Sequence, residues 1–159
     1  MTLSAGSVLF SLIALFTMIG PYVADWKCAS SLSPSLLSKP TNSASETHVK
    51  NPNWPPHARF HNGQTMSTGL FIGLLVFYYT HTAQAPSVKK IYLNFVLVLV
   101  HLYYVPALSG ILYPGALWMD PEFGTDAPQL RGFGGLLIVA WCAWWLERRR
   151  FGSVEGKLA

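Results

Sequence analysis

Between Glu46 and Thr65 the chain reads ETHVKNPNWPPHARFHNGQT, which sets His48, His57, His61, Arg59, Asn62, Gln64 and Trp54 within twenty residues. Imidazoles titrate near neutral pH and serve as general acids or bases. Asp25, upstream, and Glu46, at the start of the stretch, add carboxylates able to orient them. The chemistry this residue set suits is proton transfer. His57 and His61 also have the His-x-x-x-His spacing of metal ligands, but the intervening Ala58-Arg59-Phe60 lacks the glutamate of a zincin, and Arg59 repels a cation, so no metal is expected. No glycine-rich phosphate loop, Ser-His-Asp signature or CxxC is present, so no cofactor is expected either. Cys28 lies in a polar stretch and Cys142 among tryptophans, which makes neither a disulfide framework nor a metal quartet.

Such a set works only if elements hold it in place. Pro55 and Pro56 predict a helix start, because the first turn needs no amide hydrogen. On that helix His57 and His61 share one face at i and i+4, and Gln64, Thr65 and Thr68 continue the stripe. A polar stripe entering hydrocarbon should face protein or water, since unpaired donors cost about 1–3 kcal/mol each, so it is expected to point inward. Asn94 and His101, seven residues apart, offer a matching face, and Arg131 approaches from the last apolar segment. The expected cavity has His57, His61, Asp25 and Glu46 as catalytic groups, with His48, Trp54, Arg59, Asn62, Gln64, Asn94, His101 and Arg131 around the substrate. The structural alternatives are a histidine pair that caps a helix, a core His101 satisfied by a neighbouring carbonyl, and Asn94 as glue between helices.

Four apolar segments carry these residues. With 51% hydrophobic and only 11% charged residues, the chain departs far from the roughly 25% charge of soluble domains. Uncharged runs without barrel alternation predict an all-α fold, an integral membrane four-helix bundle in one domain, with spans over about 3–23, 63–80, 91–112 and 128–146. Residues 27–45 read as a flexible linker and 147–159 as a basic tail. The net charge of +4 gathers in Arg148-Arg149-Arg150 directly after an apolar run, as at a membrane flank, so no nucleic-acid partner is expected. Four spans put the N-terminus, the Thr80–Lys90 loop and the tail on one side, assigned to the cytosol by its Lys89, Lys90 and arginine triplet.

The stretch Thr47-His48-Val49, Asn51-Pro52, Trp54-Pro55-Pro56-His57-Ala58-Arg59-Phe60-His61-Asn62-Gly63-Gln64-Thr65, with Asp25-Trp26 before it, resembles a family of small, uncharacterised four-span membrane proteins. These occur mainly in filamentous fungi, with bacterial relatives. In that family the Asp-Trp pair runs almost directly into Thr-His-Val, so Lys27 to Ser45 looks like an insertion. Some fungal relatives look like members of secondary-metabolite clusters, which implies a lipophilic polyketide or terpenoid as substrate, the lipid bilayer of an endomembrane such as the endoplasmic reticulum as solvent, and other pathway enzymes as partners. The function expected is an isomerase or cyclase that moves a proton within a lipophilic metabolite. The alternatives are a non-catalytic membrane anchor for a pathway and a small transporter subunit, the latter suggested by His101 and Asn94 within the bilayer.

Overall fold

The computed structural model describes residues 3–26, 49, 54–82, 85–119 and 125–155, with the backbone alone for residues 25–26 and 152–155. Among them are four α-helices: α1 (Ala5–Trp26), α2 (Pro56–His81), α3 (Pro86–Ser109), continued by a 3-10 turn over Gly110–Leu112, and α4 (Pro128–Glu155). There is no strand among the described residues. The Lys27–Ser45 linker, Glu46 and His48 lie outside them.

Local chemistry sets the helix ends. Ser4 caps α1, its hydroxyl accepting the Ser7 amide at 3.2 Å while the Ser7 hydroxyl accepts the Ser4 amide at 3.0 Å, so two amides that the helix leaves unbonded are satisfied. α2 begins at Pro56 and α3 at Pro86, each with proline where the amide is not needed. At the far end of α2 the Thr82 hydroxyl donates to the Tyr78 carbonyl at 2.7 Å, and Lys89 Nζ donates to the carbonyls of Thr80 and Thr82, tying the α2 terminus to the first turn of α3.

Each helix packs against two neighbours: α1 against α2 and α4, and α3 against α2 and α4. Neighbours run antiparallel, so the start of α1, the α2–α3 turn and the end of α4 share one end of the molecule. Small residues let the backbones close. A Cβ at Gly73 would sit 2.7 Å from the Ala14 carbonyl oxygen, and one at Gly69 2.9 Å from that of Thr17. Gly69-x-x-x-Gly73 is thus the contact stripe of α2 on α1, and Gly6 plays the same part between α1 and α4, where an added Cβ would stand 2.7 Å from the Ala143 oxygen. Phe10, Ile13, Val76, Val96, Val100 and Tyr104 fill the interior. Across its diagonal the buried Tyr104 hydroxyl meets Thr17 Oγ1 at 2.7 Å; because Thr17 already donates to the Ile13 carbonyl, Tyr104 is the donor.

Large apolar side chains also lie on the outside. Leu12, Phe16, Phe71, Val98, Leu102 and Ile138 are all exposed. Two of the four helical segments, Ala5–Ala24 and Pro86–Leu112, are long and apolar enough to cross a membrane, and only 22% and 28% of their most apolar windows are buried. The glycines and hydroxyls of α2, and the charged ends of α4, dilute the hydropathy of the other two below that level.

Candidate functional site

The predicted helix start carries the histidine pair. His57 Nε2 and His61 Nε2 lie 3.0 Å apart, and His61 Nδ1 lies 3.2 Å from Gln64 Oε1. With the amide oxygen as acceptor, His61 carries its proton on Nδ1 and presents a bare Nε2, so His57 donates from Nε2 and keeps Nδ1 as a free base. His57, His61 and Gln64 form a short hydrogen-bond chain along one face of α2. Phe60 packs edge-on against His61, ring centroids 5.5 Å apart. Both imidazoles are exposed, as are Gln64, Thr65 and Thr68.

That exposure corrects one expectation: the polar stripe does not turn into the bundle. The inward face of α2 is Met66, Gly69, Ile72, Gly73 and Val76, because the glycine face permits the closest approach to α1. The threonines escape the cost of an unpaired donor by bonding their own helix, Thr65 to the His61 carbonyl at 3.1 Å and Thr68 to that of Gln64 at 2.8 Å. Arg59, Asn62 and Trp54 are half-buried near the same helix start, and Asn62 Nδ2 is enclosed without a hydrogen-bond partner among the described residues. Asp25 lies in the last turn of α1 with its side chain outside the description, and Glu46 and His48 are outside it altogether.

Asn94 and His101 do not join this group; their side chains bond to α4. His101 Nε2 accepts from the indole of Trp141 at 3.1 Å, which forces its proton onto Nδ1, bonded to the Leu97 carbonyl at 2.8 Å. It is a satisfied histidine, both ring nitrogens bonded. One turn-pair away, Asn94 Oδ1 accepts from Trp144 Nε1 at 2.9 Å and Arg148 at 3.3 Å. Arg131 pairs with Asp126 across two exposed side chains, and Asp126 also accepts the Ala127 amide. The Arg131 guanidinium, and then that amide, hold the Asp126 carboxyl below the usual carboxylate range.

A second polar cluster, at the opposite end, escaped the reading of the sequence. Glu147 is 5% exposed, and Ser4 donates to its Oε1. Arg150 lies 3.7 Å from its other oxygen, and Lys89 and Ser7 border with it a cavity of about 20 Å³, room for a single water. Nearby, Ser11 accepts from His81 Nε2 at 2.7 Å while donating to the Ser7 carbonyl. The signal available in the sequence was Glu147 itself, the one carboxylate between Asp126 and Glu155, set against a serine ladder at positions 4, 7 and 11. An open apolar groove of about 850 Å³ runs between α1 and α4, past Leu12, Phe16, Ile19 and Leu136 to Val23 and Ala24, at the end where α2 begins.

A family described as "Family of unknown function (DUF6640)" matches residues 37–157, taking in all of α2, α3 and α4. The chain belongs to DUF6640. The matched region holds the histidine pair, the seam between α3 and α4, and Glu147; α1 precedes it. No curated protein and no solved structure matches the chain. Among the described residues no group of three or more His, Cys, Asp or Glu side chains is placed to hold a metal ion.

Proposed function

We propose that the chain is an integral membrane protein, an all-α bundle with all four helices in the bilayer, that binds a lipophilic small molecule and moves a proton within it at His57 and His61. The observation that carries the chemistry is the 3.0 Å bond between the two Nε2 atoms, which leaves His57 Nδ1 as a base backed by a second imidazole. A proton taken from one substrate carbon by Nδ1 makes an imidazolium that His61 stabilises through that bond. Its return to another carbon completes an isomerisation or cyclisation with no net change in atoms or electrons. Arg59, Asn62 and Gln64 stand on the same helix start to hold substrate oxygens, and Asp25, Glu46 and His48 flank it in sequence.

The apolar exterior supports the membrane setting, since large hydrophobic side chains face outward on every helix. The groove between α1 and α4 suits the apolar body of a polyketide or terpenoid, the class implied by the family resemblance. Lys89, Lys90 and the arginine triplet mark their shared end as the cytosolic one, which sets the histidine pair on the lumenal side of an endomembrane.

Deleting the gene and profiling lipophilic metabolites tests this reading. One intermediate should accumulate, and complementation with the wild-type chain, but not with inserted His57→Ala or His61→Ala, should clear it. The open exposure of both imidazoles favours a second reading, a non-catalytic membrane anchor for pathway enzymes; under it both histidine variants restore output.

A further inference from the structure

The end of α4 separates its charges. Glu147 turns inward to Ser4 and takes Arg150 as its partner, whereas Arg148 and Arg149 turn outward and pair with no carboxylate among the described residues. Both are instead held against indoles. The Arg149 guanidinium lies 3.7 Å over the Trp145 ring and that of Arg148 5.2 Å over Trp144. Trp144 is itself fixed by Asn94 on α3, whose oxygen also takes Arg148. Apart from the Arg148 bond to Asn94, neither guanidinium has a hydrogen-bond partner among the described residues, which leaves most of their N–H donors unused. Planar forks in fixed positions are the chemistry that takes a phosphate bidentately, and little side-chain entropy remains to be lost on binding. A cation at a helix C-terminus is favoured by the dipole alone; that effect does not require two neighbouring arginine–indole pairs, one of them tied to α3 through Asn94. Beneath the guanidiniums the seam is apolar and outward-facing, with Val98, Leu102 and Trp141 exposed along it.

We infer that the α3–α4 seam is a binding site for an anionic phospholipid, its phosphate on Arg148 and Arg149 and its acyl chains along Val98, Leu102 and Trp141. The inference rests on the membrane reading above. Among the other basic groups at this end, Lys89 is engaged on the Thr80 and Thr82 carbonyls and Arg150 on Glu147. The paired stacked arginines therefore carry the preference.

The test uses the full chain in phosphatidylcholine nanodiscs, with spin-labelled phosphatidylglycerol or phosphatidylcholine reporting the lipid held at the protein surface. Wild type should hold the anionic label several-fold over the zwitterionic one, given an effect of about fivefold per basic residue near such a surface. Arg148→Gln/Arg149→Gln should bring the ratio close to one, and Arg150→Gln should leave it at the wild-type value. Inorganic phosphate should displace no more label than chloride of equal ionic strength; specific displacement identifies a free-phosphate site and overturns the lipid assignment. A double variant that keeps the preference, or loss in Arg150→Gln alone, also overturns it. A chain that incorporates into discs but holds both labels equally refutes this inference and leaves the membrane reading intact, whereas failure to enter the discs refutes the membrane reading itself.

Discussion

At the scale of single residues, hydrogen-bond direction decides what each polar group can do. Tyr104 donates to a Thr17 hydroxyl whose own hydrogen is committed to Ile13, so the two halves of the bond are unequal. Tyr104→Phe removes the donor and should cost about 1 kcal/mol; Thr17→Val strands the buried Tyr104 hydroxyl and should cost about 1–3 kcal/mol. Unfolding in mixed micelles would measure both, and an equal cost would refute the assigned direction. Asp126 gives a titration to check. Its carboxyl is held below the usual carboxylate range by Arg131, so the pair contributes stability above that range and loses it as pH falls through the lowered value. Both side chains are exposed, so the stability at stake is small. Carboxyl NMR should show the midpoint of Asp126 rising toward its ordinary value in Arg131→Gln. The types and spacing of His57, His61 and Gln64 were legible as a set in the sequence because a helix places i, i+4 and i+7 together whatever surrounds it. The inward position of Glu147 was not, since a carboxylate beside three arginines reads as part of a solvated tail until Ser4 and Gly6 of a distant helix are brought against it.

Among elements, the closest approach decides which face turns inward. Gly73 and Gly69 let α2 lie on the α1 backbone, so Gly73→Leu should separate the pair and destabilise the fold by about 1–3 kcal/mol. Gly63→Ala sits on the same helix in open space and should stabilise it by about 0.5–1 kcal/mol, through the helix propensity alone. Thermal unfolding of the two variants in one detergent checks the pair, and a destabilised Gly63→Ala would contradict the open placement. Helix positions follow from composition and the Pro55-Pro56 pair. Local polarity alone points the stripe inward, whereas Thr65 and Thr68 satisfy their hydroxyls within their own helix and leave the glycines free to choose the interface.

For the molecule as a whole, an apolar exterior on every helix predicts that the chain stays with membranes through alkaline carbonate and leaves them only in detergent; release by carbonate would refute the membrane setting. Cysteine tags at the Thr80–Lys90 turn and beside Trp54 should be reached from opposite faces of sealed vesicles. Hydropathy, proline placement and the density of imidazoles are properties of neighbouring residues, so the sequence by itself determined an all-helical chain, where α2 begins and the i, i+4 histidine pair. Which faces meet depends on contacts between residues dozens or more positions apart, where a missing Cβ or a borrowed proton outweighs local polarity. Only the tertiary structure therefore decided that His101 and Asn94 belong to the seam with α4, that the threonine stripe looks outward, and that the buried carboxylate lies at the end opposite the histidines.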